Sequence, residues 1–388
     1  MELLFGQMIN FWSPMNKNLK PLLFTVTADA RQAIVNYLSF YRLNYSVLTN
    51  HLKALIDNER RILAKLRLIR VDDVANFETY HSFNEIVEIF GKWTAMYPNN
   101  FKISVIGHTY EKKPIFAVVI AGSNSKEMYD GTNVTNTAKV KEIIFLECGI
   151  HAREWLSPAT CLYIANILLT NTNDDASLLS NYDFHIVPVI NADGYVFTWN
   201  SNRMWRKNRN PGNFPFGPCY GVDLNRNFDV NHCGEPLSRL PCHETFCGRS
   251  AFSENETRAI RDYIISLNST QRIKLYFSVH SYSEIWMYPY SYTTNASPKV
   301  SIYKEASRRA TEAIKQTHGE EYTYGQSSEV LYECSGASDD WIESQNLADL
   351  SFAIELRDKG DYGFLIPPKF IKPTAEEIWN GIKAVAFL

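Results

Sequence analysis

From about Asn76 to the C-terminus, apolar β-rich runs alternate with longer stretches of helical periodicity, and this alternation constrains the fold most. The pattern predicts strands over Ile103–Ile106, Ile115–Ile120, Ile143–Glu147, Phe184–Ile190, Ile273–Val279 and Leu350–Leu356. Between them it predicts helices such as Pro158–Leu169, Glu254–Leu267 and Val300–Thr317. A strand with one wet face alternates apolar and polar residues, whereas these runs are nearly continuous. They belong to a sheet covered by helices on both faces, an α/β domain.

The first ~70 residues read as a separate small unit. Leu22–Val26 is a strand candidate, and the stretch from Asp29, a candidate N-cap, to about Tyr41 has helical spacing. A third stretch, His51 to Ile69, is helical and heavily charged, with Arg60, Arg61 and Arg67 among its residues and Arg70 directly after it. It reads as a solvated helix face, and equally as a linker open to trypsin-like cleavage. The expected division is residues 1–72 and 73–388.

Several function classes are excluded. A net charge of -3 lacks the basic excess that a nucleic-acid partner demands. No apolar run reaches the roughly 18 residues that span a bilayer. The start, Met1-Glu2-Leu3-Leu4, carries an acid where a signal peptide carries a base, so no signal is visible. Seven cysteines leave at least one unpaired and do not form a CxxC metal set. Sequons at Asn44, Asn133, Asn255, Asn268 and Asn295 lean towards a secreted, extracellular protein.

The residues that carry chemistry begin with His151-Ala152-Arg153-Glu154, directly after the strand Ile143–Glu147. Imidazole and carboxylate both ligate zinc, and a catalytic zinc site takes three protein ligands and a water. His280 ends the apolar run Lys274–Val279, so it emerges, like His151, at a strand's carboxyl edge, where α/β sheets gather ligands. Taken alone, an HxxE is a weak signal and a lone strand-end histidine is more often structural.

The set is stronger than its parts. His151-Ala152-Arg153-Glu154-Trp155, His280-Ser281-Tyr282-Ser283 and Phe352-Ala353-Ile354-Glu355-Leu356-Arg357-Asp358 resemble, in order, three signature segments of the pancreatic-type zinc carboxypeptidases. Asn202–Lys207 and Gly221–Asn227 add two more. The resemblance to this carboxypeptidase A/B family, on its B-like side, runs from about Asn76 to the end. It implies a mixed twisted sheet and a zinc-dependent exopeptidase, acting as a monomer on peptide and protein C-termini. The first ~70 residues resemble the second half of the family's inhibitory prosegment, without its first strand and helix, and a trypsin-like protease would release it.

Position by position, the resemblance implies that His151, Glu154 and His280 bind one Zn2+ and that Glu355 is the general base. An acid inside the apolar run Phe352–Leu356 is costly without a job or a partner, and Arg357 is the alternative partner. Arg206 would polarise the scissile carbonyl. Asn225, Arg226 and Tyr332 would hold the substrate's terminal carboxylate, a task suited to a planar guanidinium. Arg153 and Tyr282 would serve accessory subsites. Asp339 falls where basic-specific members carry the acid at the pocket floor, with Ser291, Ser327 and Ala353 on the walls, so Lys or Arg is the expected C-terminal residue. The alternative for Asp339 is a helix N-terminal acid. A preference for apolar C-termini, or a peptide-binding member without catalysis, are the rival readings. Cys219 and Cys242 match a family disulfide, Cys233 and Cys247 are candidates for a second, and Cys148 and Cys161 read as buried apolar residues. Cys334 lies two positions after Tyr332, near the expected pocket wall.

Overall fold

The structure, a computed structural model, describes residues 8–12, 22–68, 74–122, 140–170, 176–212 and 219–388. Asn133, Arg70 and the expected boundary at 72–73 lie outside the described residues.

The N-terminal unit pairs β1 (Ile9–Phe11) antiparallel with β2 (Phe24–Val26) and packs them on α1 (Arg31–Phe40). Ile9, Ala30, Ile34 and Leu38 form its small core. The expected N-cap is corrected: Ala30 takes that position, with no side-chain cap, and Asp29 stands one residue outside. The charged stretch forms α2 (Leu52–Leu66), which buries Glu59 and Leu63 and exposes most of the rest.

The large unit opens with α3 (Phe83–Met96), started by a capping box in which Ser82 Oγ accepts from the Glu85 amide and Glu85 accepts from the Ser82 amide. There follow β3 (Phe101–His108), β4 (Pro114–Ile120), β5 (Glu142–Cys148), α4 (Leu156–Thr170), α5 (Ala176–Asn181), β6 (Tyr182–Val187) and α6 (Ala192–Asn200). The rest is α7 (Asn255–Asn268), β7 (Ile273–Ser281), β8 (Ile285–Tyr288), α8 (Val300–His318), β9 (Thr323–Gln326), α9 (Ser327–Val330), α10 (Ser338–Ser344), β10 (Ala348–Leu356) and α11 (Ile371–Ala386). Each of the six expected strands and three expected helices has its element. Phe184–Ile190 is shortened at its end, where Pro188 removes a ladder donor. The short strands β8 and β9 fell below the length at which periodicity speaks.

Among the described residues, eight strands of the large unit form one sheet ordered β3-β4-β6-β5-β7-β10-β8-β9. β6, β5, β7 and β10 run parallel, while β3–β4, β4–β6 and β10–β8 are antiparallel, so the sheet is mixed as expected. Helices α4, α8 and α11 cover one face, packing on Ile144, Leu146, Phe277, Val279, Phe352 and Ile354. Helices α7 and α10 cover the other, packing on Ile143, Phe145 and Tyr276.

Because side chains alternate across a strand, the partners of that second face follow from register. Glu147 sits opposite Ser278, Ser278 opposite Ala353, His280 opposite Glu355, and Tyr276 opposite Ser351. Polar residues thus accumulate on one face of the central strands, near their carboxyl ends, and the apolar ones go to the other. That face is where the site is built.

Candidate active site

The turn out of β5 carries the HxxE. Gly149 has φ +65°, and a Cβ there would stand 3.0 Å from the Pro188 carbonyl oxygen, so glycine alone fits without strain. Its amide donates to Ser157 Oγ, which ties the turn to the start of α4. His151 and Glu154 then face His280 at the end of β7, all three nearly fully buried.

His151 Nδ1 lies 2.8 Å from Glu154 Oε1, while His280 Nδ1 lies 3.2 Å from both Glu154 Oε2 and His151 Nδ1. One donor atom from each residue lies within 4.8 Å of the others, and the structure brings together the three expected ligands. The other imidazole nitrogens point away: His151 Nε2 meets Asp223 Oδ1 at 3.1 Å, and His280 Nε2 meets Ser278 Oγ at 3.0 Å. Burial alone would raise Glu154, but the charges and hydrogen bonds of His151 and His280 together outweigh it, and the carboxyl is held well below the usual range. Burial would lower His280, yet its bond to Glu154 and the charges of Glu154, Glu355 and Glu147 together lift it to about 9. Two imidazoles and an ionised carboxylate that converge on one buried point suit a cation between them, and a mixed nitrogen–oxygen set suits zinc. A second group, His232, Cys233 and Cys247, has its sulfurs committed to a disulfide.

Glu355 emerges from β10 opposite His280. Its Oε2 is buried without a hydrogen-bond partner, and burial, aided by the Glu154 charge, raises its pKa. The alternative partner is taken, since Arg357 pairs with Glu377 and Glu320. Arg206 gives Nε and Nη2 to Asp223 Oδ2 at 3.0 and 2.9 Å, leaving Nη1 towards Glu154 at 3.6 Å. Asp223 thus orients both His151 and Arg206. The sequence shows only one sign of this role, an acid between Val222 and Leu224 within Gly221–Asn227.

Asn225 and Arg226 stand on a single 3-10 turn, Leu224–Arg226, whose first amide bond goes to Asp223 Oδ1. Arg226 Nη2 donates to the Tyr332 hydroxyl at 2.7 Å, and Asn225 Oδ1 accepts from the Ser338 amide at 2.9 Å. The segment from Tyr332 to Asp339 reaches this turn because Gly336 has φ +74°; a Cβ there would lie 2.2 Å from the Arg226 carbonyl oxygen. Asp339 follows in the first turn of α10, 1% exposed. Backbone amides around it lower its pKa, but burial is the larger effect and raises it. Asp339 Oδ2 has no hydrogen-bond partner, whereas Asp340 accepts from the amides of Ser291 and Tyr292. The two adjacent acids have opposite fates.

Ala353 lies on β10 between Ser351, whose hydroxyl donates to the Asp339 carbonyl, and Glu355. Ser291 is tied to the same region through its carbonyl, which accepts from the Cys334 amide. Ser327 is buried with its hydroxyl given to the Tyr288 carbonyl. Cys334 is free and buried. Arg153 and Tyr282 sit on the outer side, against the N-terminal unit: Arg153 donates to Asn10 Oδ1 at 2.8 Å and to the Phe11 carbonyl at 3.1 Å. Tyr282 packs on Phe364, as does Trp12.

Three disulfides join Cys148 to Cys161, Cys219 to Cys242 and Cys233 to Cys247. The first corrects the reading of Cys148 and Cys161 as plain apolar residues. Both are fully buried, but α4 packs back on β5 and brings their Cα atoms to 6.6 Å, a proximity that linear spacing does not reveal. Disulfides fit an oxidising, extracellular setting. No described helix is long and apolar enough to cross a membrane.

A family model described as zinc carboxypeptidase matches residues 86–381. Carboxypeptidase B2 of Rattus norvegicus is 36% identical over 387 residues, 97% of this chain and 86% of the relative. Carboxypeptidase B of Homo sapiens is 35% identical over 398 residues, 99% and 88% of the two chains. Among solved structures, thrombin activatable fibrinolysis inhibitor superposes with TM-score 0.86 at 34% identity, covering 100% of this chain and 94% of its own. Carboxypeptidase A of Helicoverpa armigera gives TM-score 0.86 at 29% identity, covering 98% and 91%. Fold, donor set and sequence agree, and the chain belongs to the zinc carboxypeptidase family as a carboxypeptidase B-like exopeptidase of peptide C-termini.

Proposed function

We propose that this enzyme removes C-terminal Lys or Arg from peptides outside the cell. The observation that carries the specificity is Asp339: a buried carboxylate with an unpartnered oxygen, beside an aspartate whose oxygens are taken. A cationic side chain would supply the missing partner, and an apolar one would leave the acid buried alone, costing on the order of 2–5 kcal/mol. At 1.4 kcal/mol per decade this is roughly 30- to several-thousand-fold.

His151, Glu154 and His280 would hold the zinc, which when bound supplies Lewis acidity and brings the pKa of water to about 7. Glu355, with its free Oε2, takes a proton from the attacking water and gives it to the leaving amine. Arg206 turns Nη1 to the scissile carbonyl while Asp223 fixes the rest of the guanidinium, and so stabilises the developing oxyanion. Arg226, Asn225 and Tyr332 take the terminal carboxylate, which restricts cleavage to chain ends. Ser291, Ser327 and Ala353 stay small around the side chain, and Arg153 and Tyr282 serve residues further upstream.

Residues 1–72 act as a prosegment that covers those outer subsites, and a trypsin-like protease cuts it from the catalytic unit, 73–388. The bonds of Asn10 and Phe11 to Arg153, and of Glu59 to Arg203, support this docking. Hydrolysis of hippuryl-Arg and hippuryl-Phe by the trypsin-treated protein tests the reading. Arg should be favoured at least 30-fold; preference for Phe would give Asp339 back to its helix terminus.

A further inference from the structure

The two candidate histidine ligands are backed differently. His151 Nε2 faces a carboxylate, Asp223, which accepts only and so keeps the proton on Nε2. His280 Nε2 faces Ser278 Oγ at 3.0 Å, and a hydroxyl can donate as readily as accept. The amide nitrogen Asn225 Nδ2 lies 3.3 Å from the same Nε2 as a donor, its orientation set by the Ser338 amide on Oδ1. Were Ser278 free to donate as well, both neighbours would favour a bare Nε2. The proton would then sit on Nδ1, against His151 and Glu154.

Glu147 prevents that. It stands opposite Ser278 on β5, 1% exposed, and its Oε1 lies 3.3 Å from Ser278 Oγ. The Tyr276 and Ser338 hydroxyls also donate to it. A carboxylate accepts only, so the Ser278 hydroxyl donates to Glu147 and turns a lone pair to His280 Nε2–H. We propose that Glu147 is a positioning residue for the metal, fixing through Ser278 the tautomer in which the His280 Nδ1 lone pair faces His151 and Glu154. This rests on His280 as a ligand, and it supplies for His280 what Asp223 supplies directly for His151.

The test is zinc affinity by chelator competition on the purified full chain, independent of turnover. Outer partners of metal ligands typically contribute 10–100-fold in affinity. Ser278→Ala and Glu147→Gln should each weaken zinc binding by about that factor, and the double variant no more than the stronger single one, since the two act in series. Affinities within threefold of the unaltered protein, or additive losses, overturn the relay. Should Glu147→Gln fail to fold, Ser278→Ala decides by itself on the same threefold criterion. His280→Ala separates the layers: if it keeps full zinc affinity, the ligand assignment fails, whereas loss there with intact affinity in Ser278→Ala removes the relay alone.

Discussion

The wall of the site built by β5, β7 and β10 and the wall built by the segment Tyr332–Asp340 reach the same space by different means. In the first, strand register does the positioning: His280, Glu355 and Glu147 are placed by ladders that extend through the sheet core. In the second, a loop is held by a few close approaches, Gly336 on the Arg226 carbonyl, the Ser338 amide on Asn225, and Asp340 on two amides. The ladder wall carries the proposed chemistry and the loop wall the proposed specificity. A sheet cannot change one residue without disturbing its neighbours, while a loop can exchange an acid for an apolar residue locally.

The largest effect should come from the ladder wall. Glu355→Gln keeps shape and removes the proton acceptor, so turnover should fall roughly 10²–10⁴-fold with zinc retained. Near-normal turnover would move the base elsewhere.

On the loop wall, the two aspartates should separate cleanly. Asp339→Ala should remove most of the preference for Arg over Phe, roughly 30- to several-thousand-fold, while apolar substrates are still cleaved. Comparable loss of preference in Asp340→Ala with Asp339 intact would show the register through this segment to be wrong. Asp340→Ala should instead cost stability, about 1–3 kcal/mol for a buried amide left unpaired, read as a lower denaturant midpoint.

The smallest expected effect is at the outer face. In the structure, the N-terminal unit bonds to Arg153, while Arg226 bonds to Tyr332 and Asn225. Limited trypsin should therefore release a stable large fragment and raise activity on a small hippuryl substrate only a few-fold. A protein silent before the cut and fully active after it would mean that the short unit seals the zinc side as well.

Much of this was legible in the chain. Continuous apolar runs separated by helices dictated a covered sheet, because a strand apolar on both sides has nowhere else to go. His151, Glu154, His280 and Glu355 were legible because metal and proton chemistry accept few residue types, and each stands at the end of an apolar run or inside one. The sequence could not order the strands, pair Cys148 with Cys161 or reveal β8 and β9, whose contacts are distant along the chain. The resemblance set Asp339 rather than Asp340 at the pocket floor, but the chain alone could not show which keeps an oxygen unpartnered: two identical side chains in one helical turn differ only in what surrounds them. Ser278 and Glu147 were silent for the same reason, and Asp223 showed only as an acid between two apolar residues. What a buried polar group does depends on which donors and acceptors the fold brings within about 3 Å of it, and only tertiary packing decides that.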